Sequence, residues 1–182
     1  MKWKLIRDVP GRYGFVARLF HWGMAYLLIW QFLTLIGWGV LGDGPFMQAV
    51  SLFGPAHGTV GLFVFILVFL RLAWTLSNRQ TRPVDPGALG RLARATHGIF
   101  YFLMIIVPGL ALIRSYGNGK GFQLGALAII PKTGEKIDWL MAPANLLHGP
   151  LAWTLAVLIA GHIGMALFHG IVLRDGLLRR MA

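Results

Sequence analysis

The 182-residue sequence contains no cysteine. This absence excludes disulfide bonds, iron–sulfur clusters held by thiolates, and the C-x-x-C-H attachment of c-type haem. Any metal or haem in this protein must therefore be held by histidine or methionine. The sequence has six histidines and seven methionines, so such ligands are present.

Charged residues are also scarce. They make up 13% of the chain, only six of them are acidic, and the mean hydropathy is +0.67. A soluble domain carries about 25% charged residues, so the composition predicts an integral membrane protein. A helix that crosses the hydrocarbon needs about 20 apolar residues and satisfies its own backbone there. Four stretches meet this length, at about 19–41, 55–77, 96–114 and 147–171. We expect an all-α, up-down-up-down bundle of four helices in one domain spanning 1–182.

The positive charge of the chain is unevenly distributed. The formal net charge is +11, and a cytoplasmic N-terminus leaves only four of the 17 lysines and arginines on the outer side, namely Arg114, Lys120, Lys132 and Lys136. By the positive-inside rule, both termini are expected in the cytoplasm. The basic balance thus indicates topology and not nucleic-acid binding.

Glycine and proline mark the connections between the predicted helices. The stretch GDGP at 42–45 predicts a turn within a short outer loop. Pro83 and Pro86 are expected to stop the second helix, and Pro108 to kink the third helix or end its regular part. The outer segment 115–145 is long for a simple connection, which predicts a partly ordered cap over the bundle.

Three histidines recur on the fourth predicted helix. His148 and His162 are fourteen residues apart, which at about 100° per residue places them on one face, roughly 21 Å apart along the axis. His169, seven residues further, stays on that face. A row of imidazoles in an otherwise apolar helix is expected to face the bundle interior.

Helix direction gives each of the first two histidines a partner at its own depth. His57 enters from the outer side near the level of His148, and His21 enters from the inner side near the level of His162. Facing imidazoles in a bundle can hold a macrocycle that takes an axial ligand on each side. We therefore predict two bis-histidine haems b at two depths. Arg71, fourteen residues after His57, either pairs with a haem propionate or is an arginine that extends to the membrane surface.

Other interpretations of the histidines remain open. Inert hydrogen-bonded histidines, a histidine proton relay and a metal transporter all place imidazoles in membrane helices. A proton or metal transporter usually adds carboxylates within its helices. Here all six acidic residues lie in loops or at helix ends.

The sequence resembles the prokaryotic cytochrome b561 family over nearly its whole length. The resemblance lies in the four helices, with the motifs R-x-x-HW and RD-x-x-LRRM, in the segments RYGFVARLFHWGMAYLLI, AHGTVGLFVFILVFLRLAW, RATHGIFYFLMIIVPGLAL and LLHGPLAWTLAVLIAGHIGMALFHGIVLRDGLLRRM. It implies two haems b, one held by His21 and His162 and the other by His57 and His148. It also implies electron transfer to ubiquinone near the cytoplasmic face, and the best understood members oxidise superoxide at the periplasmic face.

The expected function is therefore superoxide:ubiquinone oxidoreduction. Superoxide is an anion, so Arg114, Lys120, Lys132 and Lys136 are candidates for attracting it to the outer haem. His97 and His169 near the inner ends are candidates for a quinone site, or are ordinary histidines at the lipid interface.

One departure from the family pattern keeps a second function open. Gly58 and Gly149 stand where the family often has lysine after its outer-haem histidines, which removes positive charge near that haem. The alternative is a membrane anchor that relays electrons between quinone and a partner dehydrogenase, hydrogenase or periplasmic redox protein.

Overall fold

Long helices form most of the chain in the computed structural model, which describes residues 6–83 and 87–181. In chain order, the elements are α1 (Phe15–Leu41), α2 (Pro45–Phe53), α3 (His57–Ser77), α4 (Gly87–Gly117), β1 (Phe122–Leu124), β2 (Leu127–Ile130) and α5 (Asp138–Phe168), followed by a π turn (His169–Leu173) and a 3-10 turn (Leu177–Arg180). Four helices are long and apolar enough to cross a membrane, namely α1, α3, α4 and α5 with its π turn. The predicted helical membrane bundle is confirmed.

The long helices pack against each other in chain order: α1 lies against α3, α3 against α4, and α4 against α5. Their common core contains Met24, Val60, Val68, Phe100 and Leu155. Many other large apolar side chains are exposed on the outside of the bundle. Such a surface is stable only in contact with lipid, because it would be a large apolar patch in water.

The third and fourth long helices begin nine residues earlier than the apolar stretches predicted. Helix α4 starts at Gly87 and α5 at Asp138, where the sequence suggested about 96 and 147. Hydropathy detects only the part of a helix inside the hydrocarbon, and both helices continue into the water-facing layer. Of the two alternatives expected for Pro108, a kink or an end of the regular helix, the end is wrong, since α4 continues through this proline to Gly117. Pro83 follows the end of α3 by six residues, and Pro86 lies outside the described residues.

The outer connections contain more structure than predicted. Helix α2 was not predicted, because the stretch GDGP that ends at Pro45 indicates a turn, although proline is also favoured at the first position of a helix. Its Met47 is buried and would contact a Cβ at Gly37. The expected cap at 115–145 consists of the antiparallel β1–β2 hairpin and the first two turns of α5.

A buried carboxylate organises the inner side. Asp8 is 2% exposed; its Oδ1 accepts the backbone N–H of Gly14 at 2.9 Å, and its Oδ2 lies 3.3 Å from Nε of Arg82. The Arg82 guanidinium in turn stacks on the ring of Tyr13. The backbone N–H of Tyr13 donates to the carbonyl of Arg180. The segment before α1, the turn after α3 and the end of the described chain are thereby held together.

This ion pair predicts a stability effect. Asp8→Ala leaves the partly buried Arg82 without its carboxylate and the Gly14 N–H without its acceptor, which should cost about 3 kcal/mol and lower the unfolding midpoint by roughly 6–12 °C. Asp8→Asn keeps an acceptor for Gly14 and should have a smaller effect. The measurement is tryptophan fluorescence during heating in detergent, with the exposed Asp43→Ala as control. Equal midpoints for the Asp8 and Asp43 variants would show that the pair does not hold the inner side together.

Candidate functional site

The outer histidine pair joins the beginning of α3 to α5. His57 is the first residue of α3, and its ring centroid lies 6.2 Å from that of His148. Nδ1 of His148 lies 3.0 Å from the carbonyl oxygen of Val107 on α4. Because a carbonyl can only accept, this nitrogen carries the proton, and Nε2 is left with a lone pair for a metal.

A cavity of about 350 Å³ lies beside this pair. Its lining is mostly apolar and includes both histidines, Gly58, Gly61 and Gly149. A Cβ on Gly149 would have no atom within 4 Å, so the helix surface is open there. Gln31 also lines the cavity and donates its amide N–H to the carbonyl of His57, while its Oε1 is buried with no partner among the described residues. The cavity fits an apolar, flat cofactor that brings its own polar groups.

The inner pair has the same spacing as the outer pair. The ring centroids of His21 and His162 are 6.2 Å apart, with 65° between the ring planes, against 64° for the outer pair. Two imidazoles on opposite sides of one metal, each at about 2.0 Å, have ring centres about 6 Å apart. The spacing of each pair is thus the spacing of two imidazoles that bind one metal.

A third histidine contacts the inner pair. The ring of His97 lies 5.7 Å from that of His162, and its Nδ1 donates to the carbonyl of Ala93 at 2.7 Å. Phe100 contacts the ring of His162 as well, at 5.6 Å. His97 was expected at the start of its helix, but it is the eleventh residue of α4 and so lies about 15 Å from the helix start.

Arg71 lies at the inner pair, half-buried in the bundle. Its guanidinium is 3.5 Å from Nδ1 of His21 and 5.7 Å from the centre of the Tyr101 ring. The Tyr101 hydroxyl shares a hydrogen bond of 3.0 Å with Thr75. No carboxylate in the described part of the chain forms a salt bridge with Arg71. Its charge is thus available to an anionic group, such as a propionate.

His169 lies apart from this inner cluster. It begins the π turn after α5, and its ring contacts Phe168. Its Nδ1 hydrogen-bonds to Oδ2 of Asp175, six residues later. The structure therefore separates the two candidates for a quinone site: His97 touches the inner pair, whereas His169 follows the last residue of α5.

The four outer cations lie on or beside the connection between α4 and α5. Lys120, Lys132 and Lys136 are exposed, and backbone atoms of Lys132 and Glu135 approach the glycines on either side of Lys120. Arg114 is also exposed, but its Nε donates to Oδ1 of Asn145 at 2.6 Å. The backbone segments that carry the three lysines therefore lie next to each other. Arg114 is bonded to Asn145 of α5, three residues before His148.

Sequence reasoning missed several residues of the site. Tyr101 follows His97 by four residues on the same helix face, a spacing that could have revealed it. Gln31 is a lone amide in an apolar helix, which is also a usable signal. Phe122 carries no such signal; it approaches the outer site only because the hairpin folds back, where a Cβ on Gly58 would lie 2.9 Å from its ring.

Comparison with known proteins places the chain in a family. Residues 12–182 match the family model described as prokaryotic cytochrome b561. The chain is 28% identical over 183 residues to cytochrome b561 homolog 2 of Escherichia coli K12, which covers 96% of this chain and 93% of that protein. It is 26% identical over 151 residues to cytochrome b561 homolog 1 of the same organism, covering 82% and 83%. The chain therefore belongs to the prokaryotic cytochrome b561 family of multi-pass membrane electron-transfer proteins, which bind haem b, generally two per protein.

Proposed function

We propose that this protein is a superoxide:ubiquinone oxidoreductase of the bacterial inner membrane, with both termini in the cytoplasm. The observation that carries the proposal is the presence of two facing histidine pairs at two depths, each with ring centres 6.2 Å apart. Haem b held by each pair would supply one-electron redox chemistry. His148 and His162 lie fourteen residues, or about 21 Å, apart along α5, so the two pairs form a route for electrons from the outer side to the inner side.

The ligand assignment rests on the spacing of the rings and, for His148, on which nitrogen is free. The Nδ1 of His148 is engaged by the carbonyl of Val107, so Nε2 would be the atom that, with His57, holds a haem iron. In the inner cluster, His21 and His162 repeat the spacing of the outer pair, whereas His97 approaches His162 more closely. We assign His21 and His162 as the inner ligands, with His97 beside them. Arg71 is then placed to bind a propionate.

The outer face fits a small anionic donor. Lys120, Lys132 and Lys136 are exposed on the connection that covers the outer cavity side, and Arg114 is fixed near His148 through Asn145. Exposed cations raise the local concentration of superoxide, an effect that salt weakens. Superoxide gives up one electron and becomes dioxygen, so the outer face needs no proton donor.

The inner face fits quinone reduction, which consumes protons. An imidazole can exchange protons or hydrogen bonds with quinone oxygens, and His97 and His169 are the two histidines outside the haem-ligand pairs. His169 is 22% exposed in its side chain and lies at the membrane surface, where a quinone ring can approach from the lipid. We assign the quinone contact to His169, with His97 closer to the inner haem ligands.

One observation favours the second candidate function, a relay that receives electrons from a partner redox protein. Gly58 follows His57 where a lysine would add charge, and the ring of Phe122 packs against it. The route to the outer pair from this side is thus apolar. A partner protein that docks on the outer face would not depend on steering by nearby lysines.

Single histidine variants test the ligand assignment. Alanine at His21, His57, His148 or His162 should reduce the haem content from two to one per chain, because one axial ligand is lost. His97→Ala is the matched control and should keep both haems. The measurement is pyridine hemochrome quantification on purified protein, with spectra to show which haem is lost. A His97→Ala protein with one haem, beside a His21→Ala protein with two, would reassign the inner ligand.

Charge removal tests the superoxide route. A triple variant with glutamine at Lys120, Lys132 and Lys136 should slow haem reduction by superoxide about 10-fold at low ionic strength, with a much smaller difference at high salt. Arg79→Gln, an exposed cation of the opposite side, is the control. The reduced b-type absorption band is followed with and without a ubiquinone analogue. A wild-type protein whose haems stay oxidised under superoxide but accept electrons from a redox protein would support the relay.

The absence of cysteine makes the topology directly testable. Ala126→Cys lies in the turn of the β hairpin and Gln80→Cys in the turn after α3, and both native residues are exposed. In intact spheroplasts, a membrane-impermeant maleimide should label only the hairpin cysteine, because the positive-inside rule predicts that the other turn is in the cytoplasm. After lysis both should react. Labelling of the Gln80→Cys protein in intact spheroplasts would show that the bundle has the opposite orientation in the membrane.

A further inference from the structure

The chain leaves α-helical geometry abruptly after Phe168. A π turn covers His169–Leu173, and Arg174 has φ 52°, the one positive φ of a non-glycine residue in 6–83 and 87–181. Gly176 follows with φ 78°. A left-handed non-glycine residue is unfavourable, and single π turns are frequent at functional sites. The π turn and the left-handed Arg174 bring the side chain of Asp175 back to His169.

Both carboxylate oxygens of Asp175 are engaged. Oδ2 accepts a hydrogen bond from Nδ1 of His169, and Oδ1 accepts the backbone N–H of Leu177 at 3.0 Å. The carboxylate is thereby fixed in position relative to the imidazole. A histidine that simply capped the end of α5 would bond to a free carbonyl in the last turn of that helix.

The protonation state of this pair follows from the carboxylate. The hydrogen bond from His169 and that from the Leu177 N–H lower the pKa of Asp175 below its ordinary value, with a smaller contribution from Arg180 on the following 3-10 turn. Asp175 is thus an anion near neutral pH and can only accept. The shared proton lies on Nδ1 of His169, and Nε2 is left for another partner. The neighbouring Arg174 donates its Nε to the carbonyl of Ile171.

We propose that Asp175 is the positioning residue of the quinone site: it holds the ring of His169 so that Nε2 faces a carbonyl oxygen of ubiquinone. This inference rests on the proposed function. Two superoxide anions are oxidised to two dioxygen molecules, and their two electrons, with two protons from the inner side, convert one ubiquinone to ubiquinol. His169 first takes up one of these protons from inner-side water at Nε2, which forms an imidazolium that the Asp175 carboxylate stabilises, and then donates it to one quinone oxygen, while Nδ1–H stays bonded to Asp175. The second proton reaches the other quinone oxygen from water.

Asp175→Asn separates positioning from simple capping. The amide oxygen of asparagine can still accept the Leu177 N–H, so the 3-10 turn keeps its cap. Its NH2 group now faces Nδ1 of His169, which favours the other tautomer and puts the proton on Nε2 without the stabilising negative charge. Asp175→Glu keeps the charge and should restore part of the function. His169→Gln removes the imidazole, and Asp43→Asn is the matched control at an exposed outer aspartate.

The experiment uses the full haem-loaded chain in lipid nanodiscs. After chemical reduction of the haems, their reoxidation by decylubiquinone is measured over roughly pH 6 to 9, beside reoxidation by ferricyanide. Asp175→Asn should keep two haems and its ferricyanide rate, while the maximal quinone rate falls roughly 10–100-fold with little change in KM and a displaced pH profile. Nitrogen-15 NMR of labelled histidine should show the Nδ1–H form at His169 in the wild type and its loss in Asp175→Asn.

The outcomes separate this inference from the proposed function. An unchanged quinone rate and pH profile in Asp175→Asn overturns the positioning role. The positioning role is also overturned if Asp175→Asn and Asp175→Glu lose the same fraction of the quinone rate while the tautomer of His169 is unaltered. Asp175 would then only cap a turn. If His169→Gln is reoxidised by quinone at the wild-type rate, the quinone binds elsewhere and the proposed function stands. If the wild type holds two haems but gives no electrons to quinone, the proposed function fails and the quinone role with it.

Discussion

An imidazole inside a membrane bundle must find its partners within the protein, because lipid offers none. The histidine arrangement follows from this constraint. His148 donates to the carbonyl of Val107, His97 donates to that of Ala93, and the carbonyl of His57 accepts from Gln31. The two ring bonds leave the imidazoles of His148 and His97 in contact with His57 and His162, and the bond from Gln31 fixes the backbone at His57. The hydrogen bonds that make the rings tolerable in lipid also orient them for a shared metal.

The two ends of the bundle are constructed differently, and the difference suits the chemistry proposed for each side. The inner end is closed by the ion pair between Asp8 and Arg82 and by the bond from Tyr13 to the carbonyl of Arg180. The outer end carries the β1–β2 hairpin, whose Phe122 approaches Gly58. Quinone reduction needs an ordered set of proton donors at one place. An anion that only loses an electron needs charge and access, which an exposed connection with lysines supplies.

The sequence was sufficient for the parts of the structure that depend on regular helix geometry. Apolar length predicted the four long helices, and 100° per residue with helix direction predicted the contacts of His57 with His148 and of His21 with His162. Features set outside the hydrocarbon were missed, namely the early starts of α4 and α5, helix α2 and the hairpin. These depend on turns and caps, which hydropathy does not detect. The contact of His97 with His162 was missed for the same reason, since the early start of α4 changes the depth of His97. The bond from His169 to Asp175 depends on a left-handed Arg174, which no periodic pattern predicts.

The charges around the two pairs give the proposed electron route a direction. The guanidinium of Arg71 lies 3.5 Å from His21, with no carboxylate bridging it in the described chain. A fixed cation in a partly buried site stabilises an added electron nearby, because the surroundings screen it weakly. The lining of the outer cavity, by contrast, contains no lysine, arginine, aspartate or glutamate. Even when Arg71 binds a propionate, it cancels a negative charge that the outer lining leaves uncompensated, so an electron is favoured at the inner pair, on the side proposed to reduce quinone.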